Sequence, residues 1–467
     1  MQSRRETDGF CSRSGLSILY GPDNQPEIIQ SDGIMEAGQP QRQSSSSNYG
    51  NRAEIHELDS GRYIVLAAPV KNVVSFSGSF VCLPDFASGE DLLRSLTVAM
   101  LDKGTQSRSK IELATELESI GAEINFSTDG IRVRVSGRAL AEDLPKVLSL
   151  LAEQLNEPSF AESELMLLKG RYEAALRRSL TETSTMASDT HSRRVYNPDH
   201  PFYAHEPLVE IERLSELSAS DVDAFFRGHM LKRDWSLAVV GETDWIQIES
   251  VIATEFRSSH HHENSAPMSE WSARQHKAGV DKIHIDDREN IDVIIGHAVQ
   301  MTPVDDGYIP LYLGNYVLGG NFSARLMRII RDEMGLTYGI RSSLSEMDRL
   351  HYGRWSISVT LSQDALAEGI DETMNQVRRF IQDGITEEET KEKKETIIGS
   401  YKVGLSSTRS LASSLLRNSE KGRDPSYLDE FPGLVAEVTA SDINAQISTH
   451  LDPGRLHVAM AGTLELE

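Results

Sequence analysis

The stretch NYVLGGNFSARLMRIIRDEMGLTYGIRSSLS (315–345) gathers the residue types most able to do chemistry in this 467-residue chain. Gly319 and Gly320 allow backbone geometry closed to other residues, and Asn321 tolerates the left-handed region, so a tight turn is predicted there. A helix carrying apolar Leu326, Ile329 and Ile330 follows, and it ends near Met334-Gly335, where glycine serves as a C-cap. A glycine turn ahead of a helix could cradle phosphate. GGNFSAR, however, lacks the spacing and the lysine of a P-loop, and its plain reading is a turn with a helix cap.

Metal and nucleophile chemistry find less support. No two of the 14 histidines lie four residues apart, so no pair stands one turn apart on a helix face. His260, His261, His262 and Glu263 are adjacent in a linker-like stretch, which suits adventitious metal binding rather than a preorganised site. His200 and His205 flank PFYA at i and i+5, off one helical face. Ser107-Arg108-Ser109 stands at a helix start with no partner that would make a nucleophile.

Composition narrows the classes that remain. A formal net charge of −24 repels phosphate backbones and anionic lipid, so no nucleic-acid role is expected. No apolar run approaches the ~18 residues that span a bilayer, so no membrane span is expected. Two cysteines, Cys11 and Cys82, exclude a disulfide framework and a cysteine zinc knuckle. The N-terminus has charges but no apolar core of a secretory signal, which reads as cytoplasmic as written, or as envelope if the true N-terminus is missing.

The positioning elements come as a duplication. ALAEDLPKVLSLLAEQL from Ala139 corresponds to ALAEGIDETMNQVRRFI from Ala365, SFAESELMLLKGRYEAALRRSL from Ser159 to GITEEETKEKKETIIGSYKVGL from Gly384, and ASDVDAFFRGHMLKRDWSLAVVGE from Ala219 to ASDINAQISTHLDPGRLHVAMAGT from Ala440. All three pairs sit 221–226 residues apart. His229 and His450 fall at equivalent places in the repeat, which points to packing or capping. Val74, Phe76, Phe80 and Cys82 alternate with Ser75, Ser77 and Ser79, the period of a strand with one buried face. Leu140, Leu144, Val147, Leu148, Leu151 and Leu155 keep helical spacing, with Pro145 in the first turn. GIRVRVSG (130–137), GRWSISVTLS (353–362), WSLAVVGE and RLHVAMAG read as strands. The fold class is α+β: two tandem domains, each an antiparallel-rich sheet with helices packed on one face. The expected boundaries are a polar leader at 1–54, a first domain at 55–256, a linker at 257–279 and a second domain at 280–467.

LGGNFSARLMRIIRDEMGLTYGI resembles the LGGG-F-S-S-R-L…R-E-x-x-G-L-x-Y signature of the insulinase/pitrilysin zinc metalloproteases. AMLDKGTQSRSKIELATELESIGAEI (99–124) is similar to that family's H-M-L-F-K-G-T…L…G-A segment, and NPDHPFYAHEPL (197–208) to its H-P-Y segment. The order and length of both copies resemble the C-terminal half of the long bacterial members. The resemblance implies a zinc motif HxxEH at Ser95, Leu96, Thr97, Val98 and Ala99, where no side chain can bind zinc as required and Val98 cannot act as a base. The helix expected to bring the last ligand carries Lys169 and Gly170, and the second copy offers IPLYLGNYVLGG, also without His or Glu. The resemblance further implies that Arg331 and Tyr338, seven apart, hold a substrate backbone and stabilise an oxyanion together with the Gly319-Gly320-Asn321 turn. Arg offers a fork of donors to carbonyls, and a phenol can donate to developing charge. Arg325 and Arg328 read as helix-surface or domain-contact charges.

The expectation is a non-catalytic, peptide-binding half that is inactive alone, has no cofactor of its own, and completes the chamber of an HxxEH-bearing subunit or a missing N-terminal half. Zinc is expected only in that partner. The alternative, from another class, is a structural or assembly subunit like the core proteins of respiratory complexes.

Overall fold

The alternating stretch around Phe76 forms the middle of a six-stranded sheet. The computed structural model describes residues 48–231, 234–256 and 277–464. The first copy supplies β1 (Ala53–Leu58), β2 (Gly61–Ala67), β3 (Val73–Val81), β4 (Glu123–Asp129), β5 (Arg132–Leu140) and β6 (Trp235–Gly241), in the order β1-β2-β6-β3-β5-β4. The second copy supplies β7 (Gly279–His284), β8 (Asn290–Val299), β9 (Thr337–Ser345), β10 (Gly353–Ser362) and β11 (His457–Gly462), in the order β7-β11-β8-β10-β9. Only β2/β6 and β7/β11 pair in parallel, so the class is α+β with antiparallel-rich sheets.

In the first copy the helices are α1 (Glu90–Met100), α2 (Lys110–Ser119), α3 (Leu144–Asn156), α4 (Glu162–Ser179), α5 (Thr183–Val195), α6 (Pro207–Glu216), α7 (Ala219–Phe225) and α8 (Trp245–Glu255). In the second they are α9 (Tyr308–Gly319), α10 (Leu366–Asp383), α11 (Glu387–Gly404), α12 (Thr408–Glu420), α13 (Tyr427–Glu437) and α14 (Ala440–His450). Leu144, Val147, Leu148, Leu151 and Leu155 bury one stripe of α3, and Pro145 sits in its first turn, where its missing N–H is no loss. Leu140 instead ends β5 and is exposed. The duplication extends to the caps. Ser218 and Asp221 form a capping box on α7, and Thr439 and Asp442 form the matching one on α14.

Most helices of each copy pack on one face of their own sheet, and each sheet also carries one helix from the other copy on its second face. The second copy's α12 lies on β3 and β6, and the first copy's α5 lies on β8 and β11. Along β6, Leu237 and Val239 enter the first copy's own core, whereas Ala238 and Val240 join Leu411, Leu415 and Leu416 of α12. The serines of β3, expected on an unburied face, are therefore buried too. Ser75 bonds Thr408 Oγ1 at 2.9 Å, Ser77 bonds Ser413 at 3.2 Å, and Ser79 donates to Glu420 Oε1 at 2.6 Å. Small hydroxyls let a helix approach closely while leaving each polar atom a partner.

Charges complete this seam. Buried Glu420 accepts two N–H groups of Arg134, at 2.7 and 3.2 Å, and Arg132 reaches Asp348 at 3.4 Å. Tyr196 and Arg354 both donate to Glu346, at 2.8 and 2.7 Å. His200 stacks on Tyr196 at 3.9 Å, and its Nε2 lies 3.0 Å from the Tyr352 carbonyl oxygen.

The leader boundary moves. Tyr49 and Gly50 donate their backbone N–H groups to Asp429 of α13, and β1 begins at Ala53. Polar composition concealed this docking, in which Tyr49 and Ala53 pack against the Leu411–Leu415 cluster. Residues 1–47 lie outside the described residues, as do 257–276 of the linker, and β7 begins at Gly279.

Glu420→Ala leaves the buried Ser79 hydroxyl without its acceptor and half-buried Arg134 with Asp129 alone, at 3.0 Å. It should lower unfolding free energy by about 1–3 kcal/mol in urea titration. Burial drops His200 from 6.5 to about 3. The unfolded chain then takes up the proton first, so the neutral imidazole's contribution is complete above pH 6.5 and is lost as pH falls towards 3. The urea midpoint should fall between pH 7 and pH 5, less steeply in His200→Asn.

Candidate functional site

Gly319 ends α9 and Gly320 follows with φ −82°, so neither adopts the left-handed backbone expected of this turn. Their role is close approach. A Cβ on Gly319 would stand 2.6 Å from the Ser342 nitrogen of β9, and one on Gly320 would stand 2.7 Å from Tyr316 Cα. Asn321 holds the turn from both sides. Its Nδ2 donates to the Tyr316 carbonyl at 2.8 Å, and its Oδ1 accepts from the Ser323 backbone N–H and hydroxyl. The helix that follows is π-helical over Met327–Glu333 and stops where expected, at Met334 and a left-handed Gly335.

Arg331 lies in that π-helical segment with its guanidinium 4.6 Å from the ring centre of Phe322, which is itself 67% exposed. Its nearest carboxylate oxygen is that of Asp332, at 3.5 Å. Tyr338 is the second residue of β9, an edge strand of the second sheet, and is 98% exposed. Its side chain takes part in no hydrogen bond or ring contact among the described residues. The structure thus joins Gly319, Gly320, Asn321 and Arg331 around one turn, with Tyr338 projecting from the strand beside it.

Arg325 and Arg328 are contact charges. Arg325 clamps Glu389 with two bonds of 2.6 and 2.7 Å and also donates to the Gly384 carbonyl, which holds the Glu389 carboxyl down at about 2. Arg328 pairs with Glu333.

Ser95, Val98 and Ala99 lie on α1 in the first copy. The Ser95 hydroxyl donates to the Asp91 carbonyl at 2.8 Å, and Val98 is buried in the core. On α4, Lys169 donates to the Ser215 and Leu217 carbonyls. This donor set does not fit a zinc ion, and among the described residues no group of three His, Cys, Asp or Glu side chains could hold a metal. His260, His261, His262 and Glu263 lie outside the described residues. Ser109 caps α2 with Glu112, and Arg108 pairs with Glu116 and Glu153, so that segment is structural. His229 stacks on Phe225, and His205 lies 2.8 Å from the Phe86 carbonyl oxygen.

Known families share this two-copy arrangement. Residues 96–197 match the family "Insulinase (Peptidase family M16)", and residues 216–397 match "Peptidase M16 inactive domain". A crystal structure of a peptidase M16 inactive domain from Pseudomonas fluorescens superposes with a TM-score of 0.77 at 19% identity, covering 89% of this chain and 98% of that one. The periplasmic protease PqqL from Escherichia coli superposes with a TM-score of 0.73 at 14% identity, covering 93% of this chain but 49% of that one. A relative called an uncharacterized zinc protease, from Streptomyces coelicolor, is 21% identical over 360 residues, or 74% of this chain and 75% of that one. The fold and paired copies define an M16-type, pitrilysin-like domain pair. The chain belongs to the insulinase (M16) peptidase family.

Gly319→Ala would drive its methyl group into β9. It should cost about 1–3 kcal/mol, read as a fall in melting temperature, and should shift the turn that carries Asn321.

Proposed function

We propose that this chain is the non-catalytic, peptide-binding half of an M16-type metalloendopeptidase and completes the chamber of an HxxEH-bearing partner. The observation that carries this reading is Tyr338: a large aromatic, 98% exposed, with a phenol unengaged among the described residues, at the start of an edge strand beside Arg331. An edge strand offers main-chain donors and acceptors to an extended peptide. Arg331 supplies further donors, and the Tyr338 hydroxyl is the group available to stabilise an oxyanion once a partner closes over it. The serine, valine and alanine at 95, 98 and 99 are poor zinc ligands, which supports placing the zinc in the partner. Coverage of about half of a longer bacterial protease supports a division of labour between two halves.

The test is to mix the purified chain with an HxxEH-bearing M16 subunit and follow cleavage of an unstructured peptide. Activity should require both proteins. Tyr338→Phe should lower turnover about a hundredfold and Arg331→Ala should weaken it similarly, with folding intact by circular dichroism. Unchanged turnover in both variants removes the roles given to these residues. A stoichiometric complex with no affinity for peptide would instead favour a structural subunit.

A further inference from the structure

Tyr308, Tyr312 and Tyr316 stand at i, i+4 and i+8 on α9 and so share one face. Their ring centres follow one another at 6.4 and 6.2 Å, and all three are partly exposed. None of the three hydroxyls has a hydrogen-bond partner among the described residues. Burial raises all three pKa values, Tyr308 to about 12, so each phenol keeps its proton and remains a donor. At one end of this face Tyr316 abuts Gly320 and its carbonyl accepts from Asn321, which joins it to the turn beside Arg331.

The other end meets a concentration of positive charge. The Lys421 ammonium lies 5.9 Å from the Tyr308 ring centre, Arg417 stands one turn earlier on α12, and Arg423 lies 4.0 Å over Tyr427. None of the three cations has a carboxylate within ion-pair distance among the described residues, although the chain carries a net charge of −24. Asp348 and Glu420, the acids whose charge reaches Lys421, are engaged by Arg132 and Arg134. Burial and the two arginines push Lys421 down to about 8. The C-terminus of α12 attracts cations, but collecting three of them without a counter-anion carries a free-energy cost that a bound carboxylate would offset.

Eight residues of helix separate Tyr308 from Tyr316, about 12 Å at 1.5 Å per residue, and an extended peptide covers that in roughly four residues. We propose that the tyrosine face of α9 and the Arg417–Lys421–Arg423 cluster form a subsite for a peptide carboxylate. A peptide held at the Gly319–Asn321 turn runs along the tyrosines and places an acidic side chain, or its own C-terminus, among the three cations. This rests on the peptide-binding reading above and adds a substrate class to it: peptides acidic about four residues from the Arg331 end.

Fluorescence anisotropy with the full chain and labelled, extended peptides tests this. One set walks a single glutamate through a glutamine-rich sequence with an amidated end; another contrasts free and amidated C-termini. At one position in either set the carboxylate should tighten binding about tenfold. Lys421→Met/Arg417→Met should abolish the preference, so that glutamate and glutamine peptides bind alike, and Lys421→Glu should reverse it towards a lysine peptide. Equal binding of glutamate, glutamine, free-end and amidated peptides would overturn the subsite while sparing the peptide-binding function. So would a preference that survives the double substitution. Absence of any peptide binding would overturn both.

Discussion

Neither copy can bury its own sheet completely. The second face of each sheet is covered by a helix that the chain delivers from the other copy, α12 onto β3 and β6, α5 onto β8 and β11. Once those helices are seated, the halves cannot separate without exposing both the Leu411–Leu415 cluster and the serine hydroxyls paired beneath it. The pair between Arg134 and buried Glu420 and the Glu346 junction then fix how the two sheets face each other. Everything proposed about a peptide surface depends on this fixed relation. Tyr338, Arg331 and the tyrosine face of α9 lie in the second copy, and Lys421 ends α12, the helix that this copy lays on the first.

Much of the scaffold was legible in the sequence because its signals are local. Strand alternation, the α3 leucine spacing, the Met334-Gly335 stop and the repeated caps all follow from periods and turn chemistry within a few residues. Contacts between distant segments were not legible. The serines of β3 are uninformative until Thr408, Ser413 and Glu420 are seen opposite them. The glycines at 319 and 320 announced a special backbone, yet they serve the close approach of β9 and Tyr316. The tyrosines at 308, 312 and 316 sit in plain view in YIPLYLGNY at helical spacing, but only the fold shows cations at one end and the glycine turn at the other.

The two copies have diverged in what they offer. The α1 helix of the first presents a serine hydroxyl turned back on its own backbone and a buried valine, a face suited to packing. The equivalent α9 of the second presents unengaged phenols. Two helices at matching places in the repeat thus carry different side chains on their half-buried stripes, Asp91, Ser95 and Ala99 in one and three tyrosines in the other.

The crossing helices have a consequence for how the polypeptide matures. Ser79 waits 341 positions for Glu420 to emerge. At typical synthesis rates of about 5–20 residues per second, the outer face of the earlier sheet stays uncovered for roughly 20 to 70 s on the ribosome. Ile64, Leu66, Ala238 and Val240 make the β2 and β6 part of that face adhesive to neighbouring nascent chains throughout that interval. The hydroxyls of β3, wetted until their helix arrives, confine that adhesive strip to two strands.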